Sequence, residues 1–329
     1  MFLRVSNVMK MPLVSIIMSS YNHEKFISIA IKSVLNQAVT DLELIIIDDA
    51  SKDNSRQIIK DYSKKDSRIK TIFHEENRGI AKTLNEGIEK AKGKYIAFIG
   101  SDDVWHKDKL EKQIGILEKN EDLVVWSEGE IIDVNGNPTG ELFTQKYQAS
   151  KKKKSGNIFE ILLSGNFIFG SSVIFNKENA KDIRFNEALK YLNDYQYWVD
   201  LAKKYEYFFL SESLTQYRIH GGNTILSDEK GWQRDRIIIN EYFLQRYADE
   251  ISDKLKSKIL LNSSEVFSFF GEKTKALQYV YQAIRFNPFY LRNLYYLFFA
   301  FTTKNLFIYN FLRWCYKRYV TLIKKLEGG

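Results

Sequence analysis

The feature that most narrows the fold is a repeated alternation of short apolar runs and amphipathic stretches over the first hundred residues. Val14–Met18 (VSIIM) precedes a helical pattern from about Glu24 to Asn36, with apolar Phe26, Ile27, Ile31, Val34 and Leu35. Leu42–Asp48 (LELIIID) is a continuous, β-branched run, the pattern of a strand buried on both faces. Ser55–Lys64 reads as a helix and Ile69–Phe73 as a third strand. Ile80–Lys92 is a further helix, ended by Gly93, and Tyr95–Gly100 follows as a fourth strand. This βαβαβαβ rhythm predicts an α/β fold, with a Rossmann-type, mostly parallel sheet and helices on both faces.

In such sheets ligands sit outside the carboxyl ends of the strands. Polar residues gather at that edge: Ser19-Ser20-Tyr21-Asn22 after the first strand, Asp48-Asp49 after the second, and Ser101-Asp102-Asp103 after the fourth. That edge is the expected site. The run YIAFIGSDDVW (Tyr95–Trp105) poses its sharpest question, because two adjacent anions repel and lose hydration beside a core. A basic side chain or a metal ion is expected to meet them. The simpler alternative is a capping role for the helix that starts near Asp108. Asp48-Asp49-Ala50-Ser51-Lys52-Asp53 likewise admits two readings: an Asx-type turn, or a nucleoside pocket whose carboxylate accepts from a base N–H or ribose hydroxyls.

Farther along, Asp108–Asn120 reads as a helix and Asp122–Glu128 as a strand, with a turn at Asp133–Pro138. Lys151–Lys154 reads as an exposed loop, and Tyr191–Tyr205 as a helix. Leu214–Thr224 reads as a strand with a glycine loop, and from Gly231 the pattern is helical throughout. The expected division is an N-terminal extension (1–11), an α/β domain (12–228) and a helical region (229–329). One cysteine, Cys315, excludes an internal disulfide framework and fits a reducing compartment. The four histidines (His23, His74, His106, His220) lack zinc-type spacing. No run of about 18 apolar residues marks a transmembrane helix, and the apolar run Met11–Met18 reads as a buried strand rather than a signal peptide. The formal net charge of +8 is concentrated from Lys273 onward, where ten Lys/Arg face one Glu. There aromatics alternate with cations at helical intervals. This is the pattern either of a helical bundle with a basic outer face or of a surface on anionic lipid; the second is expected, at the cytoplasmic face of a membrane. No nucleic-acid module is present, so no nucleic-acid partner is expected.

Five stretches now occur in order: SIIMSSYNHEKFISIAIKSVLNQ, LELIIIDDASKDNS, ENRGIAKTLNEGIEKAKGKYIAFIGSDDVW, YLNDYQYWVDLA and YRIHGGN. Together, from Pro12 to Thr224, they resemble the family 2 glycosyltransferases, inverting enzymes with the GT-A fold. The resemblance implies that Ser20 and Tyr21 line a nucleobase pocket and that Asp49 bonds a uracil ring, with Asp48 close by. It implies that Asp102 contacts ribose or metal, that Asp103 holds Mn²⁺ or Mg²⁺ on the diphosphate, and that His220 contacts metal or diphosphate. Asp194 falls at the place of the catalytic base. For Asp194 a helix-terminal carboxylate, and for His220 a strand-end histidine bonded to backbone, are the alternatives. The implied partners are a nucleotide-sugar donor, UDP-linked, and a saccharide or lipid-linked saccharide acceptor, as in cell-surface polysaccharide or glycan synthesis.

Inversion by direct displacement needs one base for the acceptor proton and one Lewis acid for the departing diphosphate. Three departures from the family pattern bear on that chemistry. Gly100 stands where a carboxylate is often found, and Leu84 where many relatives carry a basic residue, leaving Lys82 or Arg78 to supply the charge. Asn193 precedes Asp194 where an acid is common. In GNFIFGSSVIF (Gly165–Phe175), Asn166, Phe167 and Ser171 are expected to face the acceptor, although a buried strand accounts equally for the apolar residues. Two other readings remain: a degenerate, transferase-like scaffold at the membrane, or a sugar nucleotidyltransferase. The latter would want a glycine-rich basic loop after the first strand, which SSYNHEKF lacks.

Overall fold

The computed structural model describes residues 11–223 and 228–288. They divide into two compact units between Asp228 and Glu229. The first unit contains, in chain order, β1 (Val14–Ser20), α1 (Ile27–Leu35), β2 (Leu42–Asp48), α2 (Ser55–Ser63), β3 (Ile69–Phe73), α3 (Ile80–Lys90) and β4 (Tyr95–Gly100). There follow β5 (Val104–Trp105), α4 (Lys109–Leu117), β6 (Val124–Ile132), β7 (Pro138–Leu142), α5 (Phe143–Lys146) and α6 (Phe159–Leu163). β8 (Ile174–Asn176), α7 (Asn193–Lys204) and β9 (Tyr207–Arg218) complete it.

One sheet joins all nine strands in the order β3-β2-β1-β4-β8-β6-β9-β5, with β7 paired to β6. The half from β3 to β4 is parallel, as the strand–helix rhythm predicts. Beyond β4 the sheet is mixed: β8 runs antiparallel to both β4 and β6, β9 runs parallel to β6, and β5 is antiparallel to β9. Register fixes the site. Ser20 pairs with Asp48, Ser19 with Gly100 and Asp48 with Phe73, so four strand ends and the residues after them emerge at one level.

Both faces of β1, β2 and β4 are covered, which explains why these strands are mostly apolar runs, whereas β3 at the edge is only partly buried. On one side Ile16, Met18, Leu44 and Ile46 pack against Ile27, Ile31 and Val34 of α1, Ile59 of α2, and Leu110 and Ile114 of α4. On the other, α3 lies so close that a Cβ on Gly87 would sit 2.5 Å from Ile17 Cγ2. Each fully buried Ile or Leu here contributes roughly 1.5–3 kcal/mol. Phe98 of β4 meets Phe185, Tyr197 and Trp198, which fasten α7 to the sheet.

The lysine run departs from its expected exposed loop. Lys152 and Lys153 are half-buried, and Lys153 Nζ lies 3.1 Å from the carboxylate of buried Glu128 in β6. Burying that carboxylate unpaired would be expensive, so the chain folds a cation back onto it. Thr144 also donates to Glu128, through its backbone N–H (3.1 Å) and its hydroxyl (2.6 Å).

The second unit contains α8 (Glu229–Arg246), α9 (Asp253–Phe269) and α10 (Lys273–Phe286), and no strand among the described residues. Leu260 and Leu261 of α9 pack with Val280 and Ala283 of α10. No helix of the described residues is long and apolar enough to cross a membrane. Most of the basic-aromatic stretch expected to touch lipid, and nearly all of the N-terminal extension, lie outside the described residues.

Candidate active site

The site begins with two loops that hold each other. After β1 the chain turns through Asn22, and after β2 through Ala50, both with positive φ (56° and 62°). The Asn22 N–H donates to Ser51 Oγ (2.9 Å), and the Lys52 N–H returns a bond to Asn22 Oδ1 (2.8 Å). The His23 N–H donates to Ser55 Oγ (3.0 Å). The Glu24 N–H reaches Asp53 (2.9 Å), while Glu24 accepts from the Asn54 N–H (2.8 Å). Short polar residues can satisfy backbone groups locally, which is why both loops are rich in Ser, Asn and Asp.

Asp48 and Asp49 serve this framework. Asp48 is fully buried and accepts from the Ser51 N–H (2.9 Å), the Ser51 hydroxyl (2.6 Å) and the Ser20 hydroxyl (3.3 Å). Asp49 Oδ1 meets His74 Nδ1 (2.7 Å) and the Arg78 N–H (2.8 Å), and its Oδ2 accepts from the Gly79 N–H (2.9 Å). His74 is itself buried and bridges onward from Nε2 to Glu86 (2.8 Å). Since each carboxylate oxygen accepts two bonds, Asp49 Oδ2 keeps one acceptor position free of the protein. Tyr21 stands 46% exposed after β1, and Arg78 is exposed at the entry to α3. Lys82 is exposed and lies 3.9 Å from Glu187, whereas Leu84 is buried in α3.

Asp102 and Asp103 are held differently. Asp103 is buried, accepts from Ser171 Oγ (2.5 Å) and receives a long bond from the Arg218 N–H (3.4 Å). Burial, with the Asp102 charge beside it, pushes the Asp103 carboxyl well above the usual carboxylate range. Asp102 faces His220 Nε2 (3.1 Å) and His23 Nε2 (3.9 Å). Burial would raise it too, but the His220 hydrogen bond and the two imidazoles bring it below its ordinary value. Behind the pair lies the buried guanidinium of Arg218. Its Nε donates to the Asp102 carbonyl (2.9 Å), its Nη1 to those of Asp133 and Val134 (3.2 and 3.3 Å), and its plane lies over Phe26. The positive charge demanded by two adjacent acids is therefore an internal arginine, and two histidine rings face Asp102 in addition. Helix capping does not explain the pair, because α4 starts at Lys109 with Asp108 as its cap residue. A Cβ on Gly100 would lie 2.6 Å from Asp102 Oδ1 and 2.8 Å from Asp103 Oδ2, so a larger residue there would turn both carboxylates away.

Asp194 opens α7. It accepts from the Tyr195 N–H (2.6 Å) and from Asn166 Nδ2 (3.2 Å), and burial pushes its pKa up to about 6 against these bonds. The Asn166 partner lies on the same short segment as Ser171. That segment is tied down by Trp105 Nε1 on the Ser171 carbonyl (2.8 Å) and by Gln113 on that of Ser172 (2.7 Å). Five residue steps separate Asn166 from Ser171, so chain reach alone keeps them within about 18 Å. Ser171, expected at the acceptor, lies instead beneath Asp103, where it also receives the Gly100 N–H (3.1 Å). Phe167, expected there too, is buried at 1% exposure against Trp126. Asn166 remains beside Asp194, as its orienting partner.

The family profile for glycosyl transferase family 2 matches residues 15–184, just over half of the chain. A glycosyltransferase of Methanocaldococcus jannaschii is 33% identical over 223 residues, covering 67% of this chain and 75% of the relative. The chain belongs to glycosyl transferase family 2. A putative teichuronic acid biosynthesis glycosyltransferase of Bacillus subtilis is 32% identical over 209 residues, covering 63% of this chain and 79% of its own. Among solved structures, S. aureus TarS 1–349 in complex with UDP-GlcNAc aligns with a TM-score of 0.61 at 21% identity, covering 83% of this chain and 81% of that one. A Pyrobaculum calidifontis mannosyltransferase with GDP-Man and Mn²⁺ gives 0.54 at 15% identity, covering 88% and 79%. The sheet and its helices are accordingly those of the GT-A fold, followed by a helical region.

Among the described residues of this family 2 member, donor atoms of His23, Asp102 and His220 lie within 4.8 Å of one another. Ligands around one ion bound at about 2.0–2.2 Å stand roughly 3–4 Å apart, so this group fits a divalent cation after small side-chain shifts. Asp103, expected to hold the metal directly, instead turns both oxygens to protein donors. His23 and Arg218 are the site residues that sequence reasoning passed over. Each stood within a quoted motif, at or just after a strand end that reaches the site.

Proposed function

We propose that the protein is an inverting glycosyltransferase that moves a sugar from a nucleotide-diphosphate donor, UDP-linked, to a saccharide acceptor of cell-surface polysaccharide synthesis. The observation that carries this reading is the tie between Asp194 and the Asp102–Asp103 edge through residues 166–172. It joins a carboxylate of raised proton affinity, through one short tethered segment, to an acidic, histidine-flanked strand end. A base with a pKa of about 6 is ionised at neutral pH yet holds a proton better than an ordinary aspartate. In the proposed step the acceptor hydroxyl attacks the anomeric carbon and Asp194 takes its proton. The bond to the diphosphate breaks on the opposite face, with its electron pair leaving on phosphate oxygen, and the configuration inverts.

The open acceptor position on Asp49 Oδ2 suits a base N–H, with Tyr21 as an aromatic face and Ser20 holding the Asp48 turn beneath. Exposed Arg78, just before α3, and exposed Lys82 in its first turn are the cations offered to phosphate charge. A divalent cation, Mn²⁺ or Mg²⁺, would be held by Asp102 and His220, with Asp103 supporting from behind, and would neutralise charge on the departing diphosphate. A lipid-linked acceptor is the reading that suits the basic-aromatic stretch beyond Lys273. The test is calorimetric titration with UDP and GDP, each with and without Mn²⁺, followed by NMR of the product's anomeric centre. UDP binding strengthened by metal, with inverted product, is expected. Tighter GDP binding would overturn the donor assignment, and retained configuration would overturn the mechanism.

A further inference from the structure

We infer that His23 is a ligand of the divalent cation held by Asp102 and His220, so that this site selects a first-row transition ion such as Mn²⁺ over Mg²⁺. The inference rests on the proposed metal-dependent transfer for its purpose, although not for its geometry. His23 reaches the site from the β1–α1 loop and is fixed twice. Its N–H is bonded to Ser55 Oγ, and its Nδ1 lies 2.7 Å from Ser101 Oγ, so Nε2 is the nitrogen turned toward Asp102. Its ring packs edge-on against His220, with centroids 5.5 Å apart, and both rings lie beside Phe26.

The strand end offers no competing ligand. Gly100 has no side chain, and any Cβ there would displace both carboxylates. Asp103 faces inward to Ser171 and the Arg218 amide. The third donor therefore comes from the neighbouring strand's loop, and it is nitrogen. Magnesium demands oxygen ligands and keeps its waters, whereas two imidazoles and one carboxylate on one side of an ion suit transition metals and leave positions for phosphate oxygens. Hydrogen bonds on the far ring nitrogens orient such ligands, and Ser101 does this for His23. His220 Nδ1 accepts from the Gly222 N–H (3.1 Å). Ligation through its Nε2 moves the ring proton to Nδ1, and the Gly221-Gly222 pair has the backbone freedom to turn that amide away.

The experiment is Mn²⁺ binding by electron paramagnetic resonance on the full chain, with and without UDP, and with Mg²⁺ as competitor. Pulsed measurements would count nitrogen couplings to the bound ion. The wild type should show two histidine nitrogens and resist a large excess of Mg²⁺. His23→Gln should show one nitrogen and bind Mn²⁺ at least about tenfold more weakly. His23→Asp, which restores an oxygen donor, should narrow the preference for Mn²⁺ over Mg²⁺, with thermal unfolding confirming that both variants fold. Unchanged nitrogen couplings and affinity in His23→Gln would overturn the inference, as would failure of the wild type to bind Mn²⁺. Two-nitrogen Mn²⁺ binding without any nucleotide binding would leave the inference standing and remove the transferase reading.

Discussion

Two pairs of adjacent aspartates end the strands on either side of β1, and they have opposite fates. Asp48-Asp49 after β2 is satisfied by serine hydroxyls, three backbone N–H groups and His74. Asp102-Asp103 after β4 is backed by Ser171 and Arg218 and faced by two histidines that could release Asp102 to an ion. In the sequence the two pairs look alike, with a small residue and then a polar turn nearby. The difference comes from what the neighbouring loops bring. Where the donors are backbone amides, hydroxyls and an imidazole already bridged to a second carboxylate, the acids build architecture. Where they are metal-binding side chains, the acids stay available.

The largest effect should come from outside both pairs, and it tests whether the open pair has a partner in chemistry. Asp194→Asn should lower transfer by about 10²–10⁴-fold while leaving UDP affinity unchanged, read by single-turnover kinetics and calorimetry. In the wild type the rate should fall as pH drops through about 6, where Asp194 takes up its proton. Folded Asp194 keeps that proton to about pH 6, whereas the unfolded chain releases it near pH 4. Its contribution to stability therefore declines as pH rises through that window, and the Asn variant should lose this slope.

The comparison itself breaks if Asp48→Ala is tolerated. Three donors would lose their acceptor in a buried turn, for a cost of about 3 kcal/mol in urea unfolding, whereas Asp102→Asn should change Mn²⁺ binding far more than stability. His74→Gln sharpens the contrast. It should cost about 1–3 kcal/mol and weaken nucleotide binding while leaving Mn²⁺ affinity in the absence of nucleotide as it was. The smallest effect is expected at Ala50, whose φ of 62° carries a Cβ penalty: Ala50→Gly should gain up to about 1 kcal/mol, measured as a rise in Tm.

Much of the parallel half was legible because its information is local. Leu42–Asp48 carries its burial in its own pattern, and the observed strands at Leu42–Asp48 and Ile69–Phe73 have the expected limits. The mixed half was harder to read. β5 is two residues long and owes its existence to Gln216 and Thr215, far along the chain, while β8 spans only three. Periodicity cannot register strands so short. The same distance problem hid the histidine pair, since His23 and His220 look scattered until β1 and β9 deliver them to one level. Ser171 was placed at the acceptor because a sequence does not say which way a buried hydroxyl turns. Lys153 teaches the complementary lesson: a charge run is solvated only when no buried opposite charge lies within reach.

The stitching of the β1–α1 loop to the β2–α2 loop has a dynamic consequence. The amides of Asn22, His23 and Glu24 are bonded to side chains of the other loop, and those of Lys52 and Asn54 are bonded back. Neither strip can open without releasing the other, so the five amides form one cooperative opening unit, with one shared protection factor in hydrogen exchange. One end of that unit carries His23 and the other adjoins Asp49. An ion gripped at the first end would damp the breathing of the second, and a base seated at the second would do the same for the first.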